Sequence, residues 1–176
     1  MNGNTPVPRY TYSDYAQWKE DWELIYGYPY QLPPSAKWQH NRVQFKIANQ
    51  AENTFNQSEN CNCVVFTELD WKINNDTVVR PDVMIVCGEL KTDYLEFPPV
   101  LIAEVISQSS LQKDRNIKFE LYRENGVKYY LMVDYIKESV EVFQLIDNVY
   151  RSTETNHLLI AENCSIDFDF TNIFKN

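Results

Sequence analysis

The spacing of apolar residues along the chain predicts two main helices. Apolar side chains recur every four positions from Val43 to Phe55, which predicts a helix over residues 36–57 with one apolar face. A second helix is predicted over residues 111–124. Gly126 follows it at the position where glycine commonly ends a helix.

The remaining apolar runs are short and predict strands. Residues 63–73 and 77–87 are predicted to form a hairpin, because the residues between them have turn composition. Residues 100–107 are almost wholly apolar, which is typical of a central strand covered on both faces. Further strands are predicted at residues 22–32 (with a turn at Gly27), 128–133, 139–145, 149–153, 158–160 and 166–170. This order predicts a mixed α/β sandwich around one sheet.

Two of the predicted strands contain a carboxylate within an apolar run. Asp82 lies in VVRPDVMIV and Glu104 lies in LIAEVIS. A buried carboxylate is destabilising unless it is paired, hydrogen-bonded or bound to a metal. The two residues therefore indicate an acidic site for a divalent cation. The alternative is a strand-end Asp together with a Glu that pairs with a buried Arg, since structural ion pairs also perturb carboxylates.

The helix that follows Glu104 offers a cation to this site. Asp114, Lys118 and Tyr122 are spaced by four residues and share one helix face. Lys118 is therefore expected near the core boundary, within reach of Glu104. The alternative is an ordinary surface pair between Asp114 and Lys118, worth about 0.3–0.5 kcal/mol.

Length and charge limit the classes of protein that fit. The 176 residues suit one domain over residues 10–176, preceded by a flexible arm at residues 1–9. The formal net charge is −9, which argues against tight nonspecific binding to nucleic acid. Neither a signal peptide nor a membrane-spanning run is expected, so the chain is predicted to be cytoplasmic with no membrane partner.

The cysteines and histidines do not show the spacing of a zinc site. They are Cys61, Cys63, Cys87, Cys164, His40 and His157. Without that spacing, reduced thiols, buried or on the surface, are predicted.

Several motifs together resemble one known family. They are WELIYG from Trp22, PD from Pro81, EVIS from Glu104, DRNIKFELY from Asp114 and GVKYYLMVD from Gly126. In this order they are similar to the Uma-two family of restriction-endonuclease-like proteins, a branch of the PD-(D/E)xK nuclease superfamily. The resemblance covers roughly residues 10–145 and implies a restriction-endonuclease-like α/β fold.

The resemblance also implies a catalytic site. Asp82 and Glu104 would bind Mg²⁺, with Mn²⁺ as a substitute. The superfamily lysine two residues after the Glu is replaced here by Ile106, and Lys118 is the match in the following helix. Lys113 is a poorer candidate because it falls on another face of an α-helix. Glu23 matches an acidic position that would complete the metal site or orient a water, or is instead an exposed strand residue.

Two functions follow from these expectations. The first is a Mg²⁺-dependent endonuclease with DNA as its substrate, in which Asp82, Glu104, Lys118 and Glu23 form the site. The second is a non-enzymatic binding or assembly module on the same fold, whose aromatic residues would line a homodimer interface. The negative charge, the displaced lysine and Tyr28, which stands where the family often has an acid, favour the second.

Overall fold

The computed structural model describes residues 7–32, 37–58, 61–106 and 113–175. The helices are α1 (Tyr12–Tyr15), α2 (Trp38–Asn56), a π-helix (Lys113–Lys118) that continues directly into α3 (Phe119–Glu124), and a 3₁₀ turn (Asn172–Phe174). The strands are β1 (Trp22–Ile25), β2 (Tyr28–Gln31), β3 (Val64–Thr67), β4 (Trp71–Asn74), β5 (Thr77–Val79), β6 (Val83–Val86), β7 (Leu101–Ile106), β8 (Tyr129–Asp134), β9 (Ser139–Ile146), β10 (Val149–Thr153), β11 (His157–Ala161) and β12 (Cys164–Asp167).

A six-stranded sheet in the order β10-β9-β8-β7-β6-β3 forms the centre of the fold. Its pairs are antiparallel except β7 and β8, which run parallel because the π-helix and α3 connect them. All six residues of β7 are buried, as the apolar run predicts for a central strand.

Each face of this sheet has its own apolar core. On one face, α2 places Val43, Ile47 and Ala51 against alternate residues of the central strands, such as Val83 and Ala103. The other face packs against α3 and a four-stranded sheet in the order β2-β1-β5-β4. Trp71, Tyr122 and Tyr130 are fully buried there.

The predicted strands at residues 63–73 and 77–87 are each divided between the two sheets. The first breaks at Glu68, whose φ of 54° is incompatible with an extended strand. The second breaks at Pro81, which has no backbone N–H to donate to a sheet. The predicted single sheet is therefore wrong, while the predicted mixed α/β class and the β4–β5 hairpin are confirmed.

Three other predictions concern the N-terminal arm, the cysteines and membrane-spanning segments. Residues 1–6 of the predicted arm lie outside the described residues, so the flexible arm stays a prediction. The structure links Cys61 to Cys164 and Cys63 to Cys87 as disulfides, so it contradicts the prediction of reduced thiols: partners distant in sequence meet through tertiary structure. Within the described ranges, every helix is too short or too polar to cross a bilayer.

Candidate metal centre

The two strand carboxylates meet at one end of the β6–β7 pair. Val83 is opposite Ala103 in this antiparallel pair, so the next residues outward, Asp82 and Glu104, face each other on one side of the sheet. The Oδ2 atom of Asp82 accepts a hydrogen bond of 2.6 Å from the backbone N–H of Val105. This bond fixes Asp82 beside Glu104 although Asp82 lies just outside the strand.

Lys118 lies between Glu104 and Glu23, which comes from the other sheet. Its Nζ atom is 2.8 Å from Oε1 of Glu104 and 2.7 Å from Oε1 of Glu23. Asp114 is also close, with Oδ1 at 3.8 Å. The Lys118 side chain is 3% exposed and that of Glu23 is 0% exposed. The structure thus brings Lys118, Glu104 and Glu23 together, and the reading of Glu23 as an exposed strand residue is wrong.

The π-helix also brings Lys113 to the site. Its Nζ atom is 2.6 Å from Oε2 of Glu23. An α-helix would separate Lys113 and Lys118 around its axis, but the wider π-helical turn aligns residues five apart. The expectation that Lys113 faces elsewhere is therefore wrong, because it assumed α-helical geometry. No signal in the sequence distinguishes this π-helix from an α-helix.

Further side chains surround the two carboxylates. The hydroxyl of Tyr122 donates a 2.6 Å hydrogen bond to Oε1 of Glu104, as its spacing from Lys118 allows. Nε2 of His40 is 3.3 Å from Oδ2 of Asp82. Gln44 donates to the backbone carbonyl of Asp82 at 3.0 Å, a contact that sequence reasoning missed, although Gln44 lies one helical turn after His40.

The electrostatics of the cluster shift the protonation of its members. The pKa of Glu104 is raised to about 8. Burial is the largest cause, Lys118 acts in the opposite direction, and Asp82, Asp114 and Glu23 add to the rise. Burial alone would raise the pKa of Glu23 as well, but Lys118 and Lys113 lower it below its ordinary value. Burial would lower the pKa of Lys118, yet the surrounding carboxylates raise it well above its usual range.

This charge balance suits a divalent cation. The four carboxylates and two ammonium groups are Glu23, Asp82, Glu104, Asp114, Lys113 and Lys118. When these six groups are ionised and the neighbouring His40 is neutral, two negative charges are left uncompensated, which one divalent cation would neutralise. Facing carboxylate oxygens are also the ligands that Mg²⁺ prefers. Asp82 is the more accessible carboxylate, with 18% of its side chain exposed, so an ion would enter on its side.

Known proteins resemble this chain in sequence and in fold. The Uma2 family model, described as "Putative restriction endonuclease", matches residues 12–168. An uncharacterized protein of Synechocystis sp. is 36% identical over 109 residues, and the match covers 58% of this chain and 59% of that protein. The chain thus aligns with about three fifths of that relative's length.

A solved structure shares nearly the whole architecture. The crystal structure of a putative nuclease belonging to DUF820 from Anabaena variabilis superposes with a TM-score of 0.73 at 16% identity. The superposition covers 96% of this chain and 98% of that one. At this identity the likeness establishes the fold alone, and it confirms the predicted nuclease-like fold class.

Proposed function

The chain belongs to the Uma2 family, as its motifs predict, and we propose that it is a Mg²⁺-dependent endonuclease that hydrolyses phosphodiester bonds of DNA. One observation carries the proposal: Lys118 contacts Glu104 at 2.8 Å, on the strand that faces Asp82. An acid pair can hold a divalent cation, and an adjacent lysine adds positive charge, so together they can stabilise the charge that develops when a phosphodiester is hydrolysed.

Each residue has a distinct role in this proposal. Asp82 and Glu104 would hold the cation, which would supply stabilisation of the charge that develops on the phosphate oxygens. Lys118 has a raised pKa and stays protonated, so it would act as a fixed positive charge beside the phosphate and the attacking water rather than as a base. Glu23 stays ionised and holds the ammonium groups of Lys118 and Lys113 in place.

Cleavage of supercoiled plasmid DNA tests the proposal. The wild-type protein is expected to nick or linearise the plasmid with Mg²⁺ or Mn²⁺, and to leave it intact with EDTA. Asp82→Asn keeps the shape of the side chain and is expected to lose the activity. Asp93→Asn alters an exposed loop residue and serves as the matched control. Equal cutting by the Asp82 and Asp93 variants, both folded by circular dichroism, would contradict the proposed site.

A second function is favoured by the closure of the ion cluster. Lys118, Glu23 and Glu104 are all buried and already paired with one another. With a formal net charge of −9, the chain also lacks the global positive charge that would attract DNA. These features suit a non-enzymatic binding or assembly module that has kept the fold.

Metal binding separates the two functions. If a metal centre exists, Mg²⁺ or Mn²⁺ raises the melting temperature of the wild-type protein, and Glu104→Gln abolishes that rise. If the cluster is only structural, the melting temperature is the same with and without added Mg²⁺ or Mn²⁺. We also propose a cytoplasmic location and a homodimer. Light scattering after gel filtration tests the dimer.

A further inference from the structure

All four cysteines of the chain meet at one corner of the molecule. Cys63 and Cys87 continue the pairing of β3 with β6 beyond Val64 and Val86, and their Cα atoms are 4.2 Å apart. Cys61 is separated from Cys63 by one residue, and Cys164 is the first residue of β12. The Cα atoms of Cys61 and Cys164 are 5.0 Å apart although 103 residues separate them in sequence.

The two cysteine pairs are in contact with each other. The Sγ atoms of Cys61, Cys63 and Cys164 all lie within 4.8 Å of one another. Cys87 joins them through its contact with Cys63. Four thiolates around tetrahedral Zn²⁺, at about 2.3 Å each, are separated from one another by about 3.8 Å. Three of the four sulfur atoms thus already lie within 4.8 Å of one another. With both S–S bonds reduced, side-chain rotation of Cys87, which contacts Cys63, would complete a four-sulfur coordination shell.

We propose that Cys61, Cys63, Cys87 and Cys164 form a structural Zn²⁺ site. A C-x-C segment supplies two ligands, and the two ligands distant in sequence come from the end of β6 and the start of β12. Four protein ligands without an open position are characteristic of structural rather than catalytic zinc. Assembly involves no oxidation or reduction, since four thiols release four protons when the ion binds.

The structure links the four sulfur atoms as two disulfides, but the compartment favours zinc. Each disulfide would require an oxidant that removes two electrons and two protons, and thiols stay reduced in the cytoplasm, which is the location proposed for this chain. This step rests on that proposed location. A cluster of cysteines in a protein from a reducing compartment indicates metal binding more often than it indicates disulfides.

The zinc site would be separate from the carboxylate centre. Cys87 directly follows β6 at one end of the strand, whereas Asp82 directly precedes it at the other end. The five residue steps from Asp82 to Cys87 span roughly 17 Å of extended chain. The zinc would fasten the β11–β12 hairpin to the edge of the main sheet, far from the Mg²⁺ ligands.

Metal and thiol analysis of the full chain tests the proposal. The protein is purified under nitrogen without added metal, reduced, and titrated with Zn²⁺ in competition with a chromophoric chelator. The expected result is about one tightly bound Zn²⁺ per chain, with four thiols that react with Ellman's reagent only after denaturation in chelator. Four thiols that bind no Zn²⁺ would overturn the proposal. So would a protein isolated with no reactive thiol and with the mass of a doubly disulfide-bonded chain.

Two further measurements make the result specific. Co²⁺ in place of Zn²⁺ is expected to give the strong visible absorption of tetrahedral thiolate coordination, and its absence would overturn the assignment. Cys164→Ser is expected to lose bound Zn²⁺ on dialysis, whereas Asp82→Ala keeps it. A wild-type protein that binds zinc but does not cut DNA would contradict the nuclease proposal alone, and a wild-type protein that cuts DNA but binds no zinc would contradict the zinc proposal alone.

Discussion

Replacement of Lys118 by methionine tests the buried ion cluster directly. Lys118→Met keeps the length and apolar stem of the side chain but removes the ammonium group. Glu23 then retains Lys113 at 2.6 Å and the backbone N–H of Arg80 at 3.0 Å, while Glu104 retains the Tyr122 hydroxyl. The variant thus leaves buried negative charge with fewer partners.

The expected loss can be placed within the known range. Removal of one partner from a buried ion pair destabilises a protein by about 3–5 kcal/mol. The lower end applies here, because the pKa of Glu104 is already about 8 and its carboxylate can take up a proton at little cost near neutral pH. About 3 kcal/mol corresponds to a fall of roughly 6–12 °C in melting temperature for a chain of this length.

Urea denaturation followed by tryptophan fluorescence measures this loss. Lys137→Met is the matched control, because Lys137 pairs with Asp134 at 3.2 Å while 70% of its side chain is exposed. The control is expected to stay within about 0.5 kcal/mol of the wild-type protein. In Lys118→Met/Glu104→Gln, the second change is expected to recover about 1 kcal/mol or more. If Lys118→Met and Lys137→Met were equally stable, Lys118 would not be held in a buried cluster and the reasoning would fail.

Three further predictions concern single contacts. Tyr122→Phe is expected to lose about 1–3 kcal/mol of unfolding free energy, because the buried Tyr122 hydroxyl donates to a carboxylate. The Tyr150 hydroxyl donates to a backbone carbonyl, so Tyr150→Phe should lose less. Equal losses in urea denaturation would contradict this. Gly27→Ala and Gly126→Ala both place alanine at positive φ, which should lower the unfolding free energy by about 1–2 kcal/mol in each variant. Gly27→Ala should have the lower melting temperature of the two, because an added Cβ meets neighbouring atoms at 3.3 Å at Gly27 and none within 4 Å at Gly126. Burial would raise the pKa of Asp134, but backbone N–H donors lower it below its ordinary value. The ionised carboxylate therefore stabilises the fold near neutral pH, and this stabilisation is lost as the pH falls through the folded-state pKa. The difference in unfolding free energy between the wild-type protein and Asp134→Asn should shrink when urea denaturation is repeated at lower pH.

The features that the sequence predicts correctly are those set by local pattern. The almost wholly apolar run of β7 defines a central strand. The register of β6 with β7, extended by one residue to Asp82, puts Asp82 beside Glu104. The four-residue spacing within the motif after Glu104 also survives, with Lys118 and Tyr122 both on that carboxylate. These relations need only the strand and helix periods.

The remaining features depend on contacts between distant segments. The burial of Glu23 depends on the four-stranded sheet that packs over the central one. To form it, the chain leaves the six-stranded sheet at Glu68 and returns to it after Pro81, and neither break is visible in the apolar pattern. The contact between Lys113 and Glu23 requires a π-helix. The cysteine cluster joins residues 103 positions apart. Periodicity within a short window carries no information on any of these.

The composition of the ion cluster bears on its purpose. The contacts of Lys118 join Glu23, on a strand of the four-stranded sheet, to Glu104, on the central strand of the other. Apolar residues of similar size would join the same two surfaces, and such replacements are often neutral or stabilising by about 1–4 kcal/mol. Cohesion between the sheets therefore does not account for six ionisable groups and a Glu104 whose pKa is raised to about 8. A site that must accept a divalent cation does require that excess of negative charge, and this is why the arrangement favours a metal centre over a purely structural ion network.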